Sequence, residues 1–231
     1  MDALLQLDSQ LLLLLNYYHT AFFDKAFWLI SDTLVWVPMY LMLFYTIVKG
    51  QKWQSWMTVL ALIILVVLCD RISTDIFKYG FERFRPTHDP DLKGIVKTVF
   101  GYRGGKYGFV SSHAANTAGL AVFSSLLFKN RYYTVFMVMW AIVVSYSRIY
   151  LGVHFPGDVL GGLLLGGLLG FLVYKLYSMV MGKLAGMARF SKKELSKQVA
   201  SQFYRTQINQ ILFTGLLTFV MILIFSKVIP L

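Results

Sequence analysis

Apolar runs of roughly 20 residues recur along this chain, the length an α-helix needs to cross the hydrocarbon of a bilayer. Backbone in lipid must satisfy its own hydrogen bonds, so the chain reads as all-α. Of 231 residues, 57% are hydrophobic and 14% are charged, whereas a soluble domain carries about a quarter charged. The runs predict spans at about 26–48, 56–77, 113–129, 132–151, 157–181 and 209–229. That is a polytopic bundle of about six transmembrane helices in one membrane domain, 1–231. Segment 3–19 keeps Leu11 to Leu15 unbroken but holds Asp8, Ser9, Gln10 and Asn16. It reads as an N-terminal interfacial helix rather than a span. Asp2 and Asp8, with no basic stretch beside them, argue against a cleavable signal peptide.

The net charge of +11 raises nucleic acid as a partner. In a membrane chain it is better explained by basic loops that set topology and touch anionic lipid. Cys69 is the one cysteine, so an internal disulfide framework or thiolate metal cluster is excluded. Two polar stretches interrupt the apolar pattern. Loop 79–112 carries charges and a cluster of glycines, and segment 182–208 is a basic linker before the last span. Threading the spans puts loop 79–112 and the link 152–156 on one membrane face. The opposite links at 49–55, 130–131 and 182–208 carry or adjoin Lys49, Lys52, Lys129, Arg131, Lys183, Arg189, Lys192, Lys193, Lys197 and Arg205. Short basic loops stay in the cytoplasm. The chain is therefore expected in the plasma (inner) membrane with loop 79–112 facing the periplasm or exterior.

Three clusters on that outer face carry chemistry. The first is Lys78 with Arg85-Pro86, the second is Ser111-Ser112-His113, and the third is Ser147-Arg148 with His154 and Asp158. His154 and Asp158 are four apart, close enough on a helix start for a hydrogen bond. A carboxylate on one ring nitrogen fixes the tautomer and frees the other nitrogen to attack. Asp158 after Pro156-Gly157 also reads as a plain helix cap, and Ser111 and Ser112 as N-cap residues. Lys78, Arg83 and Arg85 also read as a juxtamembrane basic patch. A helix start attracts anions, and Arg148 offers a fork of donors suited to phosphate. Three cations, two histidines and a carboxylate together suit phosphoryl transfer, which asks for charge-neutralising clamps, a nucleophile and a proton donor. Asp70, Arg71 and Asp75 read as support for Lys78 or for the loop. His19 reads as an interfacial residue, and His88 as a residue at the site entrance.

The three clusters resemble the type 2 phosphatidic acid phosphatase superfamily. Its first motif is a lysine, six residues, then Arg-Pro, matched by Lys78 and Arg85-Pro86. Its third is Ser-Arg, five residues, His, three residues, Asp, matched by Ser147-Arg148, His154 and Asp158. Its second is Pro-Ser-Gly-His, met here by Val110-Ser111-Ser112-His113 with two replacements. The resemblance implies that His154 is the nucleophile, Asp158 orients it and His113 protonates the leaving oxygen. It implies that Lys78, Arg85, Ser111 and Arg148 hold the phosphate with help from Ser112, and that no metal or other cofactor is needed. It implies an integral-membrane lipid phosphatase whose partners are a lipid phosphate and the bilayer. Undecaprenyl diphosphate ranks first among substrates, because an outward site on a compact chain suits lipid-carrier recycling. Lipid A ranks second, and phosphatidylglycerol phosphate or phosphatidic acid third. A transporter or scaffold that keeps the fold is the non-enzymatic alternative, and the intact His113, His154 and Asp158 argue against it.

Overall fold

The computed structural model describes residues 2–186, 203 and 205–228. Most of the basic linker expected at 182–208, including Arg189, Lys192, Lys193 and Lys197, lies outside the described residues. Helix α1 covers Asp2–Leu15 and α2 covers Ala21–Ser31, the latter capped by Thr20, whose hydroxyl accepts the Phe23 N–H at 3.2 Å. The span expected at 26–48 is not one helix. Asp32 ends α2, and its carboxylate accepts the Leu34 N–H at 2.9 Å to start a 3-10 turn, Thr33–Trp36. A short acidic side chain competes with the helical ladder in this way. The Trp36 indole bridges the break by donating to the Ile30 carbonyl at 2.9 Å.

Helix α3, Val37–Gln51, turns at Lys52 into a 3-10 turn and α4, Ser55–Arg71. The two run antiparallel. Gln51, Thr58 and Tyr177 tie the turn together through hydrogen bonds of 2.5 to 2.9 Å. Helix α4 loosens into a π-helix, Ile72–Lys78, and a last turn, α5, Tyr79–Phe81. After the loop come α6 (Ser112–Phe128), α7 (Arg131–Tyr150), α8 (Pro156–Gly186) and α9 (Arg205–Val228). Among the described residues, four helical stretches are long and apolar enough to cross a membrane. One of them, Thr33–Phe81, is the doubled α3–α4 pair.

Helix α6 sits at the centre, with Ala114, Ala115, Ala118 and Ala121 buried. It packs on α8 with almost no side chains between the backbones. Gly162, Gly166 and Gly170, four apart, face Ser111, Ala115 and Gly119. A Cβ at Gly166 would lie 2.0 Å from the Ala115 carbonyl oxygen, and one at Gly162 2.4 Å from that of Ser111. Small residues at this spacing let membrane helices approach closely. Farther from the site, Trp36 meets Trp140 and Phe219 edge-on in the core. Leu160, Leu164 and Leu168 are exposed on the outer side of α8, as a lipid-facing stripe requires.

Helix α1 departs from an ordinary interfacial helix. Asp8, Leu12 and Asn16 fall at four-residue spacing on one face, and that face turns inward. Leu12 is fully buried, and Asn16 bonds the Tyr150 carbonyl at 2.7 Å and the Lys97 N–H at 2.9 Å. Leu4, Leu7 and Leu14 are exposed.

Candidate active site

The loop between α5 and α6 brings two arginines to the bundle in an extended stretch. Arg85 N–H donates to the Lys106 carbonyl at 3.0 Å and Gly108 N–H to that of Arg83 at 2.9 Å, around an antiparallel bridge between Phe84 and Tyr107. Residues two apart on extended backbone share a face, so Arg83 and Arg85 both point at the helix ends while Phe84 stacks on Tyr107. Glycine is required where this loop closes in. A Cβ at Gly104, whose φ is +67°, would collide with Arg85, and one at Gly108 would lie 2.7 Å from Asp158 Oδ2.

The loop and three helix ends then meet. Ser111, at the N-cap of α6, donates its backbone N–H to the Asp158 carbonyl at 2.9 Å. It holds the N-cap position read from the sequence, but its hydroxyl makes no capping bond. Asp158 Oδ2 accepts the Phe155 N–H at 3.0 Å and lies 3.3 Å from His154 Nδ1. Capping and orienting are therefore one arrangement: the N3 carboxylate reaches back to the N-cap amide, as in a capping box, and faces the imidazole too. Lys78 Nζ donates to Ser112 Oγ at 2.6 Å. Arg148, in the last turn of α7, reaches Ser31 and lies 3.5 Å from the Tyr102 hydroxyl. His113 has Arg148, Arg85 and Lys78 as charged neighbours.

All eight residues singled out by motif thus converge at one end of the bundle. Ser111 Oγ, Arg85 Nη1 and Arg148 Nε are buried there with no hydrogen-bond partner among the described residues. Buried donors are normally satisfied, so these three are left open at the site. Burial, reinforced by Arg85, Arg148 and Lys78, holds the His154 imidazole well below its ordinary pKa, so it is neutral, as a nitrogen nucleophile must be. Among the described residues no group of three or more His, Cys, Asp or Glu side chains has the placement to hold a metal ion.

An apolar groove of about 490 Å³ leaves this site between α3 and α4, within the roughly 300–1,000 Å³ range of ligand pockets. Ser31 and His113 stand at its head, and Leu43, Ile47, Val59 and Leu62 are among its walls. Its outer rim includes Phe44, Ile63 and Val67, which are exposed on the bundle surface.

The sequence profile of the PAP2 superfamily, that of the type 2 phosphatidic acid phosphatases, matches residues 55–181. The chain belongs to this superfamily. Two PAP2-type relatives are similar over most of their length. A lipid A 4'-phosphatase of Porphyromonas gingivalis is 43% identical over 77% of this chain and 75% of its own. A lipid A 4'-phosphatase of Bacteroides thetaiotaomicron is 33% identical over 98% of both chains. An undecaprenyl-diphosphatase of Sulfolobus acidocaldarius is 29% identical over 62% of this chain and 64% of its own. The crystal structure of a transmembrane PAP2-type phosphatidylglycerolphosphate phosphatase from Bacillus subtilis superposes with a TM-score of 0.60. It is 22% identical, covers 76% of this chain and 87% of that one, and shares the helical membrane fold.

Other sequence expectations land elsewhere. Of the charged residues read as support for Lys78, Asp70 acts on it as a nearby opposite charge, while Arg71 pairs with Asp75 at 3.6 Å on an exposed face. His19, read as an interfacial residue, pairs with Asp24 at 2.9 Å and stacks on Tyr150. His88 lies 3.1 Å from the Thr87 hydroxyl within the loop. Conversely, Asp8, Arg83, Ser31 and Tyr102 join the PAP2 site without belonging to its motifs. The one advance signal is the alternation of Arg83 and Arg85 around Phe84.

Proposed function

We propose that the chain is a membrane lipid phosphatase that works through a phosphohistidine on His154, with lipid A as its substrate. The carrying observation is the His154–Asp158 pair at 3.3 Å beside three buried phosphate-type donors. Asp158 holds the proton on Nδ1 and leaves Nε2 to attack phosphorus. The phosphorus–oxygen ester bond breaks as the new nitrogen–phosphorus bond forms, and His113 gives its proton to the leaving oxygen. Water then splits the phosphohistidine and releases inorganic phosphate. Lys78, Arg85 and Arg148, with Ser111 and Ser112, hold the three non-bridging oxygens and offset their charge in the transition state. Their positive charge stands where a metal would otherwise act, so the reaction is read as metal-independent. The groove beside His113 takes an acyl chain while the phosphate reaches the cations.

Sequence alone ranks undecaprenyl diphosphate first. The relatives weigh toward lipid A, because the two lipid A 4'-phosphatases match at higher identity and over more of the chain than the undecaprenyl-diphosphatase does. The active site is read as facing the periplasm, from the basic residues on the opposite links. Phosphate release from purified protein, measured on lipid A, undecaprenyl diphosphate and phosphatidylglycerol phosphate in matched micelles, decides the substrate. Lipid A is expected to be hydrolysed at least about tenfold more efficiently, a difference of roughly 1.4 kcal/mol in barrier. Equal or faster hydrolysis of undecaprenyl diphosphate would return that lipid to first place.

A further inference from the structure

The carboxylate that faces His154 is itself held by a residue outside every motif. Arg83 Nη1 donates to Asp158 Oδ1 at 3.1 Å, and Arg83 Nη2 donates to Asp8 Oδ2 at 2.7 Å. Asp8 Oδ1 accepts the Gly157 N–H at 2.7 Å, at the start of the helix that carries Asp158. The Arg83 guanidinium carbon sits over the Phe155 ring, 4.1 Å from its centre. The path is continuous: Asp8, Arg83, Asp158, His154. Each link belongs to a different part of the chain: α1, the loop after α5, α8 and the turn before α8.

Asp8 sits close against the start of α8. A Cβ on Gly157 would lie 2.7 Å from its Oδ2, so helix and carboxylate are in contact. Leu12 and Asn16, one and two turns on, fix α1 against α8 and the end of α7. Arg83 needs this second anchor. A guanidinium fork bonded at one end only can swing about its long stem; bonded at both ends and held over an aromatic ring, it is fixed. Two carboxylates also share one cation, so Arg83 offsets the charge of the buried Asp158 and of the partly covered Asp8 together. The charged groups around the His154–Asp158 pair are the cations Lys78, Arg83, Arg85 and Arg148 and the anion Asp8, with His113 nearby.

We propose that Asp8 is a positioning residue for the reaction: it braces Arg83, which holds Asp158 against His154, so α1 is a working part of the active site. The proposal rests on the reading of His154 as nucleophile. Asp8 acts through the geometry of a group that reacts and touches no substrate itself. Its loss therefore slows the chemical step and leaves substrate binding intact.

The test uses the full chain in detergent micelles, on whichever lipid of the panel above the wild type hydrolyses fastest. Asp8→Asn keeps the shape of the side chain and removes its charge. It is expected to lower kcat about 10- to 100-fold, the scale of supporting hydrogen bonds behind a reactive group, with KM within about threefold. Arg83→Gln is expected to lose at least as much. Because Asp8 works through Arg83, the double variant is expected to be no worse than Arg83→Gln alone, a departure from additivity that marks coupled residues. Where Asp8→Asn does not purify as a monodisperse species, Asp8→Ser takes its place. His154→Ala runs in parallel. An Asp8 variant with wild-type kcat beside an inactive His154→Ala overturns the role of Asp8 and leaves the nucleophile standing, as does a double variant whose losses multiply. An active His154→Ala overturns both.

Discussion

His154 sits in a turn, 1% exposed, with Arg85, Arg148 and Lys78 around it. Burial and those charges depress its affinity for a proton, which ties stability to pH. The unfolded chain binds a proton at this histidine below roughly pH 6.5, while the folded chain refuses it. Stability is therefore complete above that value and falls as pH drops through it, by up to a factor of about ten in the folding equilibrium per pH unit. His154→Asn is expected to lose phosphatase activity by three orders of magnitude or more, as when a group acting within a catalytic unit is removed. It is also expected to melt with less dependence on pH between 7 and 5 than the wild type. Thermal melts in detergent at both values check this, and a variant as acid-sensitive as wild type would assign the linkage elsewhere. The eight motif residues are legible in sequence because their spacing is local or their order is fixed by the resemblance. Asp8 is not, because its partner is 75 residues away and a lone acid in a leucine-rich segment looks like a topological marker.

At the scale of helices, the relation between α6 and α8 decides the site. Both bring residues to it from their first turns, Ser111 to His113 from one and Asp158 from the other. The ladder of Gly162, Gly166 and Gly170 sets how closely and in what register they lie. Gly166→Val would drive a side chain into the Ala115 backbone, 2.0 Å away at Cβ. Overpacking of this kind costs about 1–3 kcal/mol or more. The expected outcome is a lower melting temperature together with lost activity, because Ser111 and Asp158 are pushed apart. Gly167→Ala is the control, since a Cβ there meets its nearest neighbour only at 3.9 Å. Equal melting temperatures for the two would remove the ladder from this role. Helix order is readable from hydropathy because span length is a physical requirement of the bilayer. The break at Asp32 is not, since one acid in an apolar run leaves the average hydropathy intact. The inward turn of α1 is hidden for the same reason: its leucines dominate the pattern, while two polar residues decide which way it faces.

For the whole molecule, the placing of charge bears on topology. Lys49, Lys52, Lys129 and Arg131 lie at the bundle end away from the site, at the α3–α4 and α6–α7 turns. In a Cys69→Ser background, a cysteine introduced between residues 90 and 105 is expected to react with an impermeant thiol reagent from outside. One introduced at Lys129 is expected to react only after the membrane is opened. The reverse pattern would invert the protein and move its substrate to the inner leaflet.

The groove between α3 and α4 has its rim on the apolar flank of the bundle, among exposed hydrophobic side chains suited to acyl chains rather than water. A substrate that enters there arrives by lateral diffusion and never leaves the plane of the membrane. The quantity that governs the rate is then its mole fraction among lipids, not its amount per volume of solution. Inert phospholipid added at constant total substrate would slow the enzyme by dilution in two dimensions. In a cell, the composition of one leaflet would set the flux.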